Sequence, residues 1–85
     1  MVAVEVYGTP RCPYCVRARG LLDRKGVAYK WIDVAGDNAL YQTMVDLSNG
    51  HTVPQIFIAG KPIGGCDEMY ALDNQGRLDE MLGLK

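Results

Sequence analysis

Long apolar runs are missing from this 85-residue chain, and so is any strong imbalance of charge. A membrane-spanning helix needs about 20 consecutive apolar residues, which no segment supplies. Nine lysines and arginines stand against ten aspartates and glutamates, for a formal net charge of -1. There is no basic excess to attract nucleic acid. The stretch MVAVEVYG has no positive flank ahead of an apolar run, so it does not read as a secretory signal. The expectation is a cytoplasmic protein without membrane or nucleic-acid partners. Repeats, linkers and low-complexity segments are also absent. Cysteine occurs only three times, and an odd count suits a disulfide-stapled secreted scaffold poorly. In a reducing compartment a close cysteine pair is more often catalytic or metal-binding than structural.

What remains is the composition of an ordinary globular protein, 48% hydrophobic and 22% charged, with room for a single domain over residues 1–85 and one modest core. Residues 2–7, VAVEVY, are rich in β-branched side chains and read as a strand. Pro13 suits the first turn of a helix, where its missing N–H costs nothing. That helix runs to about Lys25, with Val16, Ala18, Leu21 and Leu22 as its apolar face and Gly26 as its stop. Residues 28–34 make a second strand. Asp37 or Asn38 caps a second helix whose apolar face is Leu40, Met44 and Leu47, and Asn49-Gly50 ends it. Residues 55–59 form a third strand, Gly60-Lys61 a tight turn, and 61–64 a short fourth strand. Asp67 caps a third helix, and Leu78, Met81 and Leu82 belong to a short terminal one. The order β-α-β-α-β-β-α makes the first two strands parallel and the last two antiparallel. The fold class is therefore α/β, a four-stranded mixed sheet with helices on both faces.

The chemistry concentrates in TPRCPYCVRA, residues 9–18, at the junction of the first strand and helix. Cys12 falls at or just before the first helical turn, where unpaired N–H groups and the positive end of the macrodipole favour an anion. Arg11 adds a cation beside it. A free thiol is only ~3% ionised at pH 7, and such placement is known to lower its pKa to roughly 3.5–7.5. Cys15, one helical turn further in, lacks that support. One sulfur is placed to attack and the other to resolve. The competing reading is half of a zinc site completed by Cys66 and His51. Structural zinc sites usually bring a second close-spaced pair, whereas these two stand 15 residues apart.

C-P-Y-C at 12–15, T-V-P at 52–54 and G-G-C-D at 64–67 resemble, in residues and in spacing, the glutaredoxins of the small bacterial dithiol type, over essentially the whole chain. The resemblance implies a thioredoxin-like fold and a glutathione-dependent oxidoreductase that reduces protein disulfides and glutathione mixed disulfides. It implies Cys12 as the nucleophile, Cys15 as the resolving thiol and Tyr14 as the aromatic beside them. Pro54 matches the family's cis-proline, which leaves the backbone of Val53, next to Thr52, free to pair with the cysteinyl part of glutathione. Gly64 and Gly65 allow close approach to the ligand, and Cys66 and Asp67 form the helix start that holds its γ-glutamyl end. Thr9 and His51 stand where many relatives carry lysine and arginine, a loss of positive charge toward the glycine carboxylate for which Arg11 substitutes in part. Glutathione is then a co-substrate, with no tightly bound cofactor and no metal. The expected partners are glutathione and disulfide-containing or glutathionylated proteins, ribonucleotide reductase among them, and the chain is expected to act as a monomer.

Two other functions compete. One is a glutaredoxin-like protein reduced by thioredoxin reductase, against which the G-G-C-D motif argues. The other is a carrier of a [2Fe–2S] cluster held between two chains, which Pro13 and the second thiol disfavour. Among the remaining residues, His51 reads as a loop residue near the groove, since thiol–disulfide exchange at a helix end needs no base. Cys66 reads as a small residue packed near the glutathione site. Arg17, Arg19 and Arg24 read as a solvated helix face.

Overall fold

The structure, a computed structural model, describes residues 2–85. Its elements in chain order are β1 (Val4–Gly8), α1 (Pro13–Arg24), β2 (Lys30–Asp33), α2 (Asn38–Ser48), β3 (Gln55–Ile58), β4 (Lys61–Gly64), α3 (Cys66–Asn74) and α4 (Leu78–Met81). The strands form one sheet in the order β2-β1-β3-β4. β1 and β2 run parallel across the α1 crossover, while β3 is antiparallel to both β1 and β4. Among the described residues no helix is long and apolar enough to cross a membrane.

Side chains of a strand alternate between faces, and here that alternation builds two cores. Val4 and Val6 of β1, with Ile56 and Ile58 of β3, meet Ala18, Leu21 and Leu22 of α1, Met69 of α3 and Leu78 of α4. On the opposite face Tyr7 and Phe57, their rings edge to face with centroids 5.4 Å apart, meet Val34 just after β2 and Met44 of α2. Helices therefore cover both faces of the sheet, as the order of elements implies. Capping residues sit where physical chemistry places them. Pro13 opens α1, Asp37 accepts the Leu40 N–H at 3.0 Å, and Asn49 ends α2 in the left-handed conformation at φ 60°.

Four expectations are corrected. The buried face of α1 is Cys15, Ala18, Leu21 and Leu22, while Val16 is 56% exposed. At 100° per residue Cys15 and Leu22 fall on one line, and Val16 lies well off it. α2 likewise turns Tyr41, Met44 and Val45 inward and leaves Leu40 and Leu47 exposed, because the sheet lies nearer the 41–45 edge of the apolar stripe. The β3–β4 turn is Ala59-Gly60, with φ values of 53° and 80°, and Ile58 pairs with Lys61. Two consecutive positive φ values are those of the hairpin turn whose twist matches the strands. Finally, Asp67 does not cap α3. Gly65 does, in an extended conformation, its carbonyl accepting the Met69 N–H at 3.0 Å, so Asp67 falls inside the first turn.

Arg17 and Arg24 are exposed, as a solvated helix face implies, and Arg19 is half-buried; each still engages an aromatic ring or hydroxyl. The Arg17 guanidinium lies 5.4 Å from the Tyr70 ring centroid, Arg24 donates to the Tyr70 hydroxyl at 3.1 Å, and Arg19 stacks on Trp31. At the far end of α1, Lys25 forms ion pairs of 2.7 Å with both Asp73 and Asp79, joining α1 to α3 and α4.

The two apolar positions of α2 should separate cleanly in urea denaturation. Met44→Ala is expected to cost about 2–5 kcal/mol, as for a buried methionine, and Leu47→Ala to stay within about 0.5 kcal/mol. The Lys25 clamp has a pH window of definite sign. Hydrogen bonds donated to Asp73 and Asp79 raise the Lys25 ammonium above its ordinary 10.5, and the hydrogen bond accepted from Lys25 lowers Asp79 below 3.8. Its stabilisation is therefore present between these values, lost as pH falls through the lowered Asp79 value, and lost again as pH rises through the raised Lys25 value. The melting-temperature difference between wild type and Lys25→Met should shrink at both extremes.

Candidate active site

Three backbone features meet at one end of the sheet: the start of α1, the loop between α2 and β3, and the start of α3. Cys12 is the N-cap of α1, with extended backbone angles, no side-chain cap bond and no acidic residue in the first turn. The positive end of the helix thus faces the Cys12 sulfur unopposed. Cys12 is partly exposed, whereas Cys15 is wholly buried under the first turn. Burial is the main reason that the Cys15 thiol is pushed up to about 11; hydrogen bonds with Thr9 oppose the rise, and the hydrogen bond to Cys12 adds to it.

The loop carries a cis peptide bond between Val53 and Pro54. It has no regular secondary structure, yet its carbonyls are individually held. Tyr41 of α2 donates its hydroxyl to the His51 carbonyl. The Gln55 amide donates to the Thr52 carbonyl at 2.9 Å, from a side chain that is itself buried. The Cys12 thiol lies 3.8 Å from the Val53 carbonyl, in donating position. α3 closes against this loop because residue 65 is glycine: a Cβ there would sit 3.1 Å from the Pro54 oxygen.

The result is a cleft of about 320 Å³ lined by Tyr14, Thr52, Val53, Pro54, Gly65, Cys66, Asp67 and Glu68; Cys12 is not in this lining, but its sulfur lies beside it, 3.8 Å from the carbonyl of the lining residue Val53. Of the residues singled out from the sequence, Tyr14, Thr52, Val53, Pro54, Gly65, Cys66 and Asp67 share this one cleft. Arg11 is exposed in the loop before α1 and is not among the lining residues. The His51 residue is exposed beside the loop. Cys66 is buried at the cleft wall; burial raises its thiol, and the Arg17 charge works against that rise. Glu68 went unremarked in the sequence, although its place one residue after Asp67 in a first helical turn was a usable sign. Gln55 gave no such sign, because nothing in the alternation of β3 tells which face is closed over. Among the described residues no three of His, Cys, Asp and Glu are grouped as a metal site requires, so Cys12, Cys15, Cys66 and His51 do not converge on one point.

The family model described as Glutaredoxin matches residues 4–63. Glutaredoxin 3 of Escherichia coli (strain K12) is 48% identical over 82 residues, spanning 96% of this chain and 99% of that protein. The solution structure of glutaredoxin from Brucella melitensis superposes with a TM-score of 0.85 at 46% identity, covering 96% of this chain and 89% of the other. A crystal structure of a buckwheat glutaredoxin–glutathione complex superposes with a TM-score of 0.90 at 32% identity, covering 96% and 77%. The four-stranded mixed sheet is thus the thioredoxin-like fold that the sequence motifs implied.

The burial of the three sulfurs predicts their order of reaction. Brief treatment of the reduced native protein with iodoacetamide should modify Cys12 first, with Cys15 and Cys66 labelled at comparable rates only after unfolding. Peptide mapping by mass spectrometry reads this directly, and early labelling of Cys66 would show that the cleft wall opens.

Proposed function

The chain belongs to the glutaredoxin family of thiol–disulfide oxidoreductases, and from that premise we propose that it uses glutathione to reduce protein disulfides and glutathione mixed disulfides through Cys12 and Cys15. The observation that carries this reading is the cleft itself. A partly exposed sulfur at an unopposed helix N-terminus stands at the edge of a groove whose other walls are a held backbone segment and a second helix start.

In the proposed reaction the Cys12 thiolate attacks the glutathionyl sulfur of a mixed disulfide, and the protein thiol leaves. A second glutathione then attacks the Cys12–glutathione disulfide, releasing glutathione disulfide and restoring Cys12. In the dithiol route Cys12 attacks a protein disulfide, releasing one protein thiol. Cys15 then attacks the resulting Cys12–protein bond, releasing the other and closing the Cys12–Cys15 disulfide, which two glutathiones reopen with release of glutathione disulfide. Thr52, Val53 and Pro54 would present backbone to the cysteinyl part of glutathione. The start of α3 would take its γ-glutamyl end, with first-turn N–H groups toward the carboxylate and Asp67 toward the ammonium. Tyr14 would cover the sulfur-bearing middle, and Arg11 would reach the glycine carboxylate from outside the cleft. The buckwheat complex with glutathione supports the choice of ligand. A monomer in the cytoplasm, with glutathionylated or disulfide-bearing proteins such as ribonucleotide reductase as acceptors, completes the proposal.

A coupled assay with glutathione, glutathione reductase, NADPH and a small mixed disulfide tests it. Cys12→Ser should abolish turnover, whereas Cys15→Ser should retain removal of glutathione from mixed disulfides and lose the dithiol reduction of protein disulfides. Equal loss in both variants would refute this division of labour. Asp67→Asn gives a second measurement. Since Asp67 is exposed and caps nothing, the substitution should leave the melting temperature nearly unchanged. A charged hydrogen bond contributes roughly 1.5–3 kcal/mol when enclosed, and exposure reduces that. KM for glutathione should therefore rise by up to about tenfold, and an unchanged KM would remove Asp67 from ligand binding.

A further inference from the structure

Residue 8 has no side chain, and two other groups fill its place. A Cβ on Gly8 would lie 2.7 Å from Cys15 Sγ and 2.9 Å from Cη2 of Trp31, closer than real Cβ atoms come to anything. The buried sulfur arriving from α1 and the indole edge arriving from β2 therefore converge on the same patch of β1. The indole is also held through its ring face. The Arg19 guanidinium stands 4.2 Å from the centroid of the Trp31 ring, and its Nε donates to the Tyr29 hydroxyl at 3.1 Å. Neither Gly8 nor Trp31 lies in the C-P-Y-C, T-V-P or G-G-C-D segments, and no part of the proposed glutathione cleft includes them.

We propose that Trp31 is a positioning residue for the redox couple: its indole, admitted by Gly8 and clamped by Arg19, seals the Cys15 sulfur from solvent so that external disulfides and electrophiles meet Cys12 alone. The inference rests on Cys12 and Cys15 being that couple. A sealed thiol has one accessible reaction, with a partner already attached to its neighbour. When Cys12 carries glutathione, Cys15 attacks the Cys12 sulfur. The Cys12–glutathione bond breaks, the Cys12–Cys15 bond forms, and the Cys15 proton leaves with the glutathione thiol. Sealing also keeps Cys15 protonated in the meantime, in line with the effect of burial on its thiol, and protects it from becoming glutathionylated itself.

The chain has one tryptophan, so its emission reports on this contact without substitution. A disulfide touching an indole accepts an electron from the excited ring and quenches it. Wild-type protein oxidised with glutathione disulfide, its Cys12–Cys15 bond verified by mass, should emit less than the reduced form. Cys15→Ser with glutathione on Cys12 should show little change. The second measurement is alkylation of Cys15 by iodoacetamide in a Cys12→Ser background, on variants whose circular dichroism matches the parent. Adding Trp31→Ala should accelerate it about tenfold or more, as expected when a thiol returns to solvent, while Trp31→Phe, which keeps a ring over the sulfur, should rescue most of the protection. Equal emission in the two wild-type redox states, or an unchanged Cys15 rate in Trp31→Ala, would overturn the proposal. Failure of the Cys12–Cys15 disulfide to form at all would overturn the couple as well, and the mass measurement tells the two failures apart.

Discussion

The close seating of α1 on β1 and β3 is the constraint from which the reactive end of this molecule follows. Ala18 and Leu22 are wholly buried against the same sheet face as Val6 and Ile56, and close-packed interiors do not yield to small shifts. With those residues seated, the N-terminus of α1 has one possible position, beyond the end of β1 and beside the loop that leads into β3. Cys12 then stands at the mouth of the cleft and Cys15 beneath the helix. The absence of a side chain at residue 8 lets the helix start lie this low.

That seating divides the work between two chemically identical groups. Only two residues separate the cysteines, yet one is partly exposed and the other is wholly buried. A thiolate is tolerated where water and helix dipoles reach it and disfavoured where they do not. Burial alone is enough to make the two cysteines unequal, before any contribution from neighbouring charges. Arg17 illustrates the lesser role of such charges here. Its guanidinium is spread over the Tyr70 ring, and its effect on Cys66 is outweighed by burial.

The opposite wall of the cleft is built from irregular backbone, which would ordinarily be mobile. Here successive carbonyls are each occupied by a side chain from a different element: Tyr41 from α2, Gln55 from β3 and Cys12 from the start of α1. A loop tied in this way can present backbone to a ligand without first being ordered, which lowers the entropic cost of binding. Gly65 serves the same end by letting α3 come within contact of the Pro54 carbonyl.

Most of the architecture was legible in the sequence because it follows from local rules. β-branched alternation marked the strands, Pro13, Asp37, Asn49 and Gly26 marked helix ends, and the order of elements settled which strands run parallel. The three motifs likewise named nearly all the residues that the cleft brings together. The errors have separate physical causes. Val16 is apolar but lies off the buried line of α1, and Leu40 and Leu47 belong to the stripe of α2 and still face solvent, because only the docked sheet decides which edge of a stripe is covered. Asp67 has the chemistry of a cap, but the backbone angles available to Gly64 and Gly65 started the helix earlier. By itself the sequence determined the elements, their connectivity and the pair of thiols. The tertiary structure alone decided that Cys15 is buried over Gly8 while Cys12 stays partly exposed, since burial belongs to the packed molecule and to no segment of its chain.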